Sequence, residues 1–378
     1  IEHVPYIQWL KLKASYGVSG NMGFSPENAM TVYSLNTQAN YLSHFGAYLT
    51  SFGNTELKWQ NTYQWNFGIE LKTLHECLGL EFSYYRKMTD NTVADVFLPI
   101  SHGFNTYKAN VGSILNKGWD VKVTVDLFKN MDRGFTWNIM GSFNGNKNIV
   151  DKLSDGFKYT LSHNVTNMSS QEAVLKYREG HSMNAIYGLR TVGVDPQTGN
   201  RLFLDKNGNV TFAQNAEDMV YLGDSQPKVQ GNISTNIAYK GFILTVGFGV
   251  RWGAKQFNAT LANKTENTHF INNLDRRVLT QSWQEPGDVV PYKKLDINNT
   301  SSNTNVCDAF VQEDNVFQCT NINLTYNFSD DICKKLRLKG LSLNANLSDI
   351  FYISSIKRER GTSYPFSRNP NFSVSVSF

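Results

Sequence analysis

Segments of about ten residues that alternate apolar and polar side chains recur along this chain, and the gaps between them take turns being very short and very long. Period-2 alternation is the pattern of a pleated strand with one greasy face. In Phe242-Ile-Leu-Thr-Val-Gly-Phe-Gly-Val-Arg-Trp252, one face carries Phe242, Leu244, Val246, Phe248, Val250 and Trp252. The other carries Thr245, Gly247, Gly249 and Arg251, and only Ile243 breaks the pattern. The same rhythm runs through Leu10 to Ser19, Tyr63 to Lys72, Leu78 to Tyr85, Trp119 to Phe128, Phe135 to Asn144, Val229 to Tyr239, Asn321 to Phe328 and Leu341 to Ser348. Weaker candidates at Gln171 to Glu179 and Met183 to Val192, with the terminal Asn371 to Phe378, bring the expectation to about twelve strands.

The gaps give the topology. Leu74 to Cys77, Lys129 to Arg133, Gly180 to Ser182, Lys240 with Gly241, and Ser329 to Leu336 are hairpin-sized. Gly20 to Lys58, Asn91 to Ala109, Gly145 to Ser170, Gly193 to Gln226, Gly253 to Val311 and Asp349 to Pro370 are not. Strict alternation of short turns and long loops between long alternating strands is the layout of a transmembrane antiparallel β-barrel of the bacterial outer membrane. It predicts a periplasmic C-terminus and extracellular long loops.

Composition agrees. No apolar run approaches the ~18 residues of a membrane helix, and the mean hydropathy is −0.38. The 13% aromatic content suits the girdles of such barrels. A soluble β-sandwich or propeller also alternates, but soluble strands cluster near five or six residues and several here are longer. The net charge of +4 is small and spread out, with no basic run to follow a phosphate backbone, so nucleic acid is not an expected partner. Ile1 begins neither a signal peptide nor an initiator methionine, so the segment is expected to start after processing or within a longer protein.

Catalytic chemistry finds no foothold, and no enzyme activity or cofactor is expected. His75-Glu76 lacks the second histidine of a zinc-binding helix, and Gly17-Val-Ser-Gly20 lacks the last glycine of a nucleophile elbow. The four cysteines show no zinc spacing; Cys307 with Cys319 is the one pair close enough in sequence for a disulfide, and unpaired thiols are the alternative. Asp205-Lys-Asn207-Gly-Asn faintly resembles an acidic calcium loop whose ligand set is incomplete, against a plain Asn-Gly turn. Recognition is left to the loops. Tyr41, Phe45 and Tyr48 in the first long loop, and Arg276, Arg277 and Trp283 in the loop after Trp252, combine aromatic faces with polar groups in a way that suits oligosaccharides or peptides. The competing expectation is that these aromatics pack the loops together.

Several stretches carry a family likeness. Leu12-Lys-Ala-Ser-Tyr-Gly-Val-Ser-Gly-Asn21, Gly53-Asn-Thr-Glu-Leu-Lys-Trp-Gln60 with Thr55 where proline is usual, Asn110-Val-Gly-Ser-Ile-Leu-Asn-Lys-Gly118, Gly193-Val-Asp-Pro-Gln-Thr-Gly199, Tyr239-Lys-Gly-Phe242 and Pro286-Gly-Asp288 occur in one order. Together they resemble the SusC/RagA family of TonB-dependent outer-membrane transporters of the Bacteroidetes. The resemblance implies nutrient import, a SusD-like surface lipoprotein over the extracellular face, and energy from TonB with ExbB and ExbD acting through a plug. It also implies a plugged barrel of about 22 strands. The plug and TonB box are not recognisable in this chain, which resembles the C-terminal half of that barrel. An open strand edge in lipid is not tolerated, so strands from outside these residues complete the wall, or the chain closes on itself as a stand-alone twelve-stranded passive channel.

Overall fold

The computed structural model describes residues 6–41, 44–75, 77–98, 101, 103–104, 106–130, 134–163, 177–268, 271, 273–295, 303–357, 359 and 367–378. Among them, ten strands form one antiparallel sheet in which neighbours in space follow one another along the chain. In order they are β1 (Ile7–Asn21), β2 (Gln60–Thr73), β3 (Leu78–Phe97), β4 (Thr106–Asn130), β5 (Phe135–Leu153), β6 (Val229–Tyr239), β7 (Phe242–Phe257), β8 (Val311–Asn327), β9 (Gly340–Ser354) and β10 (Asn371–Ser377). The short links gather on one rim and the long ones on the other. The β6–β7 link is Lys240 with Gly241, at φ of 45° and 90°, the left-handed pair that a two-residue hairpin requires.

Alternation places every side chain. Register sets Tyr239 beside Phe242, Phe242 beside Tyr326, and Tyr326 beside Leu343, so the apolar positions of β6 to β9 make one continuous greasy face. Along its short-turn rim runs an aromatic belt. Phe128 lies 5.6 Å from Phe135 and 6.1 Å from Trp137, Phe135 is 6.2 Å from Tyr239, and Phe242 is 4.4 Å from Tyr326. Higher up, Phe248, Phe317 and Phe351 form a second cluster, each ring 5.7 to 6.3 Å from its neighbour, and Trp252 stands exposed above them. Ten residue steps from Phe242 to Trp252, tilted by about 40°, cover about 26 Å, close to the ~25 Å apolar band of an outer-membrane barrel.

The opposite face is polar and hydrogen-bonded along itself. Thr245 donates to Asn236 at 2.8 Å, Asn344 donates to Asn323 at 2.6 Å and Thr325 at 2.8 Å, and Asn138 donates to Asp126 at 2.6 Å. On β1 to β4 the same face is charged: Lys11 opposes Glu70, Glu70 opposes Glu81, and Glu81 opposes Lys122, with the last pair bridged at 3.4 Å. Gly247 and Gly249 belong to this face. A Cβ on Gly247 would stand 2.3 Å from Asn321 Oδ1, so the glycine makes room for that amide to lie across the strand.

The structure corrects the expected strand list at one hairpin. Met183 to Val192 is not a wall strand: Ala185–Gly188 and Arg190–Val194 join two small separate sheets, and Ala185, Ile186 and Tyr187 are buried on both sides. Most of its proposed neighbour, Gln171 to Glu179, lies outside the described residues, and residues 177–179 are not strand. Among the described residues ten strands therefore line the wall, where about twelve were expected. With Met183 to Val192 outside the wall, residues 154–228 make one excursion between β5 and β6, and the links still alternate short and long. Strands β3, β4 and β5, at 20, 25 and 19 residues, also absorb part of what reads as loop after Asn91 and Gly145. Gly20 to Lys58 is not irregular either; it carries a hairpin of Val32–Tyr41 on His44–Ser51.

The molecule's main buried apolar cluster sits at the long-loop rim. Ile186, Tyr187, Leu189, Phe203 and Met219 from the β5–β6 excursion pack against Ala262, Val306, Cys307 and Phe310 from the β7–β8 excursion. Backbone bonds seal the joint, Leu189 N–H to Val306 O at 2.9 Å and Asp308 N–H to Leu189 O at 3.0 Å. Cys307 is inside this core and Cys319 is on β8; both are free thiols, so the disulfide alternative is not formed. Burial pushes the Cys307 thiol up to about 12, which makes it inert.

Candidate functional site

On the polar face, where β5 to β9 meet below the rim cluster, the wall opens into a cavity of about 550 Å³. Two rungs build it. Asn144, Gln230 and Arg251 stand side by side on β5, β6 and β7, with Gln230 donating to Asn144 at 3.0 Å. Two residues nearer the short turns, Asn232, Gly249, Gln318 and Tyr352 form the next rung. Arg251 is anchored from β8 by Asp314, 2.5 Å away and 5% exposed. The Arg251 Nε–H is buried and has no acceptor, and two residues beyond Asn144 the buried Asn146 Oδ1 has no donor. The cavity therefore offers amides that both donate and accept, beside a guanidinium that Asp314 neutralises.

Above it, the two excursions are clamped by a buried ion pair. Arg201 Nε donates to both Glu266 oxygens, at 2.9 and 3.0 Å, and the same carboxylate accepts from Thr304 Oγ1 at 2.7 Å and Lys293 N–H at 3.1 Å. Nearby, Arg277 forks onto Asp275 at 2.9 and 2.8 Å and reaches Glu359 at 2.7 Å, and Glu359 also pairs with Lys264. Arg277, bonding to Asp275 through side chain and backbone, holds that carboxyl at about 2. Lys255 on β7 ties the assembly to the wall by donating to Leu222 O at 2.9 Å.

The residues picked out in the sequence fall in several places. Arg277 is engaged in the ion cluster. Trp283 donates from Nε1 to Pro196 O at 2.8 Å and lies over Gly199, where a Cβ would meet its ring at 2.5 Å, so it packs one excursion on the other. Arg276 is exposed beside them. Tyr48 is 56% exposed on the first hairpin, to which Tyr41 and Phe45 also belong; the side chains of those two lie outside the described structure. Asp205 accepts from Asn207 N–H at 2.7 Å, Asn209 N–H at 2.8 Å and Asn209 Nδ2 at 3.1 Å, closing the Asn-Gly turn with the oxygens that calcium would need. Asn144, Gln230, Asn232 and Gln318 were not singled out. Their alternation marks the polar face, but it does not say which rungs meet.

A sheet with one girdled apolar face, one polar face and a packed cluster over one rim defines the wall of a membrane transport barrel. The family model for the TonB dependent receptor-like β-barrel matches residues 4–346, and the chain belongs to that family, which is an outer-membrane one. TonB-dependent receptor P39 of Formosa agariphila is 25% identical over 93% of this chain and 37% of its own length. SusC of Bacteroides thetaiotaomicron is 23% identical over 94% of this chain and 35% of its own. The solved RagAB peptide importer in its closed-closed state superposes over the whole chain with a TM-score of 0.79 at 20% identity, covering 42% of that chain; this likeness concerns the fold. The chain thus spans little more than a third of the curated relatives it matches.

Proposed function

We propose that this chain is part of the barrel wall of an energy-driven importer that carries oligosaccharides or peptides too large for ordinary porins. The apolar face meets lipid, the polar face lines the lumen, the short turns and the C-terminus are periplasmic, and the long excursions are extracellular. A SusD-like lipoprotein covers the excursions, and TonB with ExbB and ExbD acts through a plug outside these residues. The observation that carries the reading is the continuous ten-strand sheet with its polar cavity beneath a clamped cluster of loops. Among the described residues strands β1 and β10 each have a single neighbour in the sheet, which favours a wall completed by further strands.

Uptake by intact cells tests this. Ligand accumulation should stop when TonB is deleted or the proton-motive force is collapsed, and the purified protein should stay closed in a planar bilayer. Continuous conductance with uptake that ignores TonB would replace the importer with a passive channel.

A further inference from the structure

We propose that the apolar face of β3, β4 and β5 carries a binding site for the phosphate of an outer-leaflet lipid headgroup. The proposal rests on the reading that this face meets lipid. Register puts Arg86 opposite Lys117 and Lys117 opposite Lys147, and alternation turns all three to the same face as Trp119 and Phe143. Each of the three is exposed. Like charges directly opposite one another destabilise a sheet, and this row sets three of them across about 10 Å of wall. The neighbouring rungs bring no counter-charge: Tyr84, Trp119 and Gly145 lie below, and Met88, Leu115 and Ile149 above. None of the three cations has an ion-pair partner among the described residues.

The polar face of the same part of the wall treats charge differently. There Lys13 pairs with Glu70 and Lys122 with Glu81, so these cations are balanced within the sheet. The row on the apolar face is left for an anion from outside, and its height suits a lipid. From Phe135 in the lower aromatic belt to Lys147 is twelve residue steps along β5, about 30 Å of height at a strand tilt of about 40° and just beyond the ~25 Å apolar band. Tyr84 and Trp119 mark the edge of that band beneath the row, and Trp65 continues it beside Arg86, its ring 4.4 Å from Tyr16. Long Arg and Lys stems lie along apolar surface and carry their charges to the boundary. A phosphate offers several acceptor oxygens to cations on neighbouring strands. The row continues downward into the surface that acyl chains would cover, which favours a lipid over a soluble anion.

Native mass spectrometry of the detergent-purified native complex, titrated with phosphatidic acid or with phosphatidylcholine of the same chain length, tests the site. Phosphatidic acid, the simplest lipid with a terminal phosphate, should bind more tightly. Each of Arg86→Gln, Lys117→Gln and Lys147→Gln should weaken it about fivefold, the effect of one cation at a lipid surface, while heat-modifiable gel mobility stays native. Phosphatidylcholine binding should not change, and Lys122→Gln on the polar face should leave both lipids unaffected. Equal binding of the two lipids, or phosphatidic acid binding indifferent to all three variants when folded, would overturn the site and leave the lipid-facing reading standing. Loss of phosphatidic acid in Lys122→Gln, with the other three variants unaffected, would instead overturn the reading of which face meets lipid. Displacement of phosphatidic acid by an equal concentration of inorganic phosphate would overturn the lipid assignment and make a soluble anion the occupant.

Discussion

Arg201 and Glu266, 65 residues apart in sequence, form a two-pronged ion pair in which the carboxylate side chain is fully enclosed and the guanidinium nearly so. It joins the β5–β6 excursion to the β7–β8 excursion, and Thr304 and Lys293 N–H occupy the remaining acceptor sites. Removing one member of such a pair strands the other charge in a dry site, at a cost of about 3 to 5 kcal/mol. Glu266→Gln should therefore open the loop cluster without unfolding the wall. Faster hydrogen exchange around Leu189 and Phe310, with exchange along β6 and β7 unchanged, is the expected readout.

The neighbouring ion cluster should make the same region acid-sensitive. Asp275 is held at about 2 by Arg277, against about 3.9 in an unfolded chain. A depressed carboxyl stabilises the folded state in full above the unfolded value and loses that contribution as pH falls through the folded one. Glu359 is also lowered: its burial alone would raise it, but Lys264 and Arg277 outweigh that. Protease resistance of Arg276–Gln281 should thus be constant from neutral pH to about 5 and fall from there toward 2. Asp275→Asn should show the reduced resistance already at neutral pH.

Edge physics gives a third expectation. Among the described residues β1 pairs with β2 alone and β10 with β9 alone, leaving a row of peptide groups on each outer side. If further strands complete the barrel, cysteines placed in Leu10 to Ser19 will not crosslink to cysteines in Phe372 to Ser377 in native membranes. Efficient crosslinking between them would mean that the chain closes on itself.

Much of the wall was legible because alternation is a local property. Phe242 to Trp252 reads as a strand from its own residues, and the structure extends it only to Phe257. The hairpin around Gly180 misled because Ala185-Ile-Tyr-Gly188 is enclosed on both faces and carries no alternation, while Met183 to Val192 is bounded by turn residues as a wall strand would be. The cavity and the ion clamp were hidden for another reason. Arg251 lines the first only because register sets Gln230 and Asn144 beside it, and Glu266 finds Arg201 only through the folding of two long loops. Sequence spacing does not encode such distances. Trp283 and Arg277 read from the sequence as loop candidates for ligand binding; in the structure each has a partner within the protein's own chain, at Pro196 and Asp275.

The central claim is that the apolar face of this sheet meets lipid and the polar face meets the lumen, and neighbouring positions on β7 test it most directly. Val246 lies on the girdled face opposite Ile322, and Thr245 on the other face beside Asn236. An arginine at the lipid-facing midplane costs about 2 to 4 kcal/mol, and one in a water-filled lumen far less. Heat-modifiable mobility of the two variants in outer-membrane preparations should show Val246→Arg largely unassembled and Thr245→Arg close to native. Equal assembly of both variants, or the reverse order, would contradict the account.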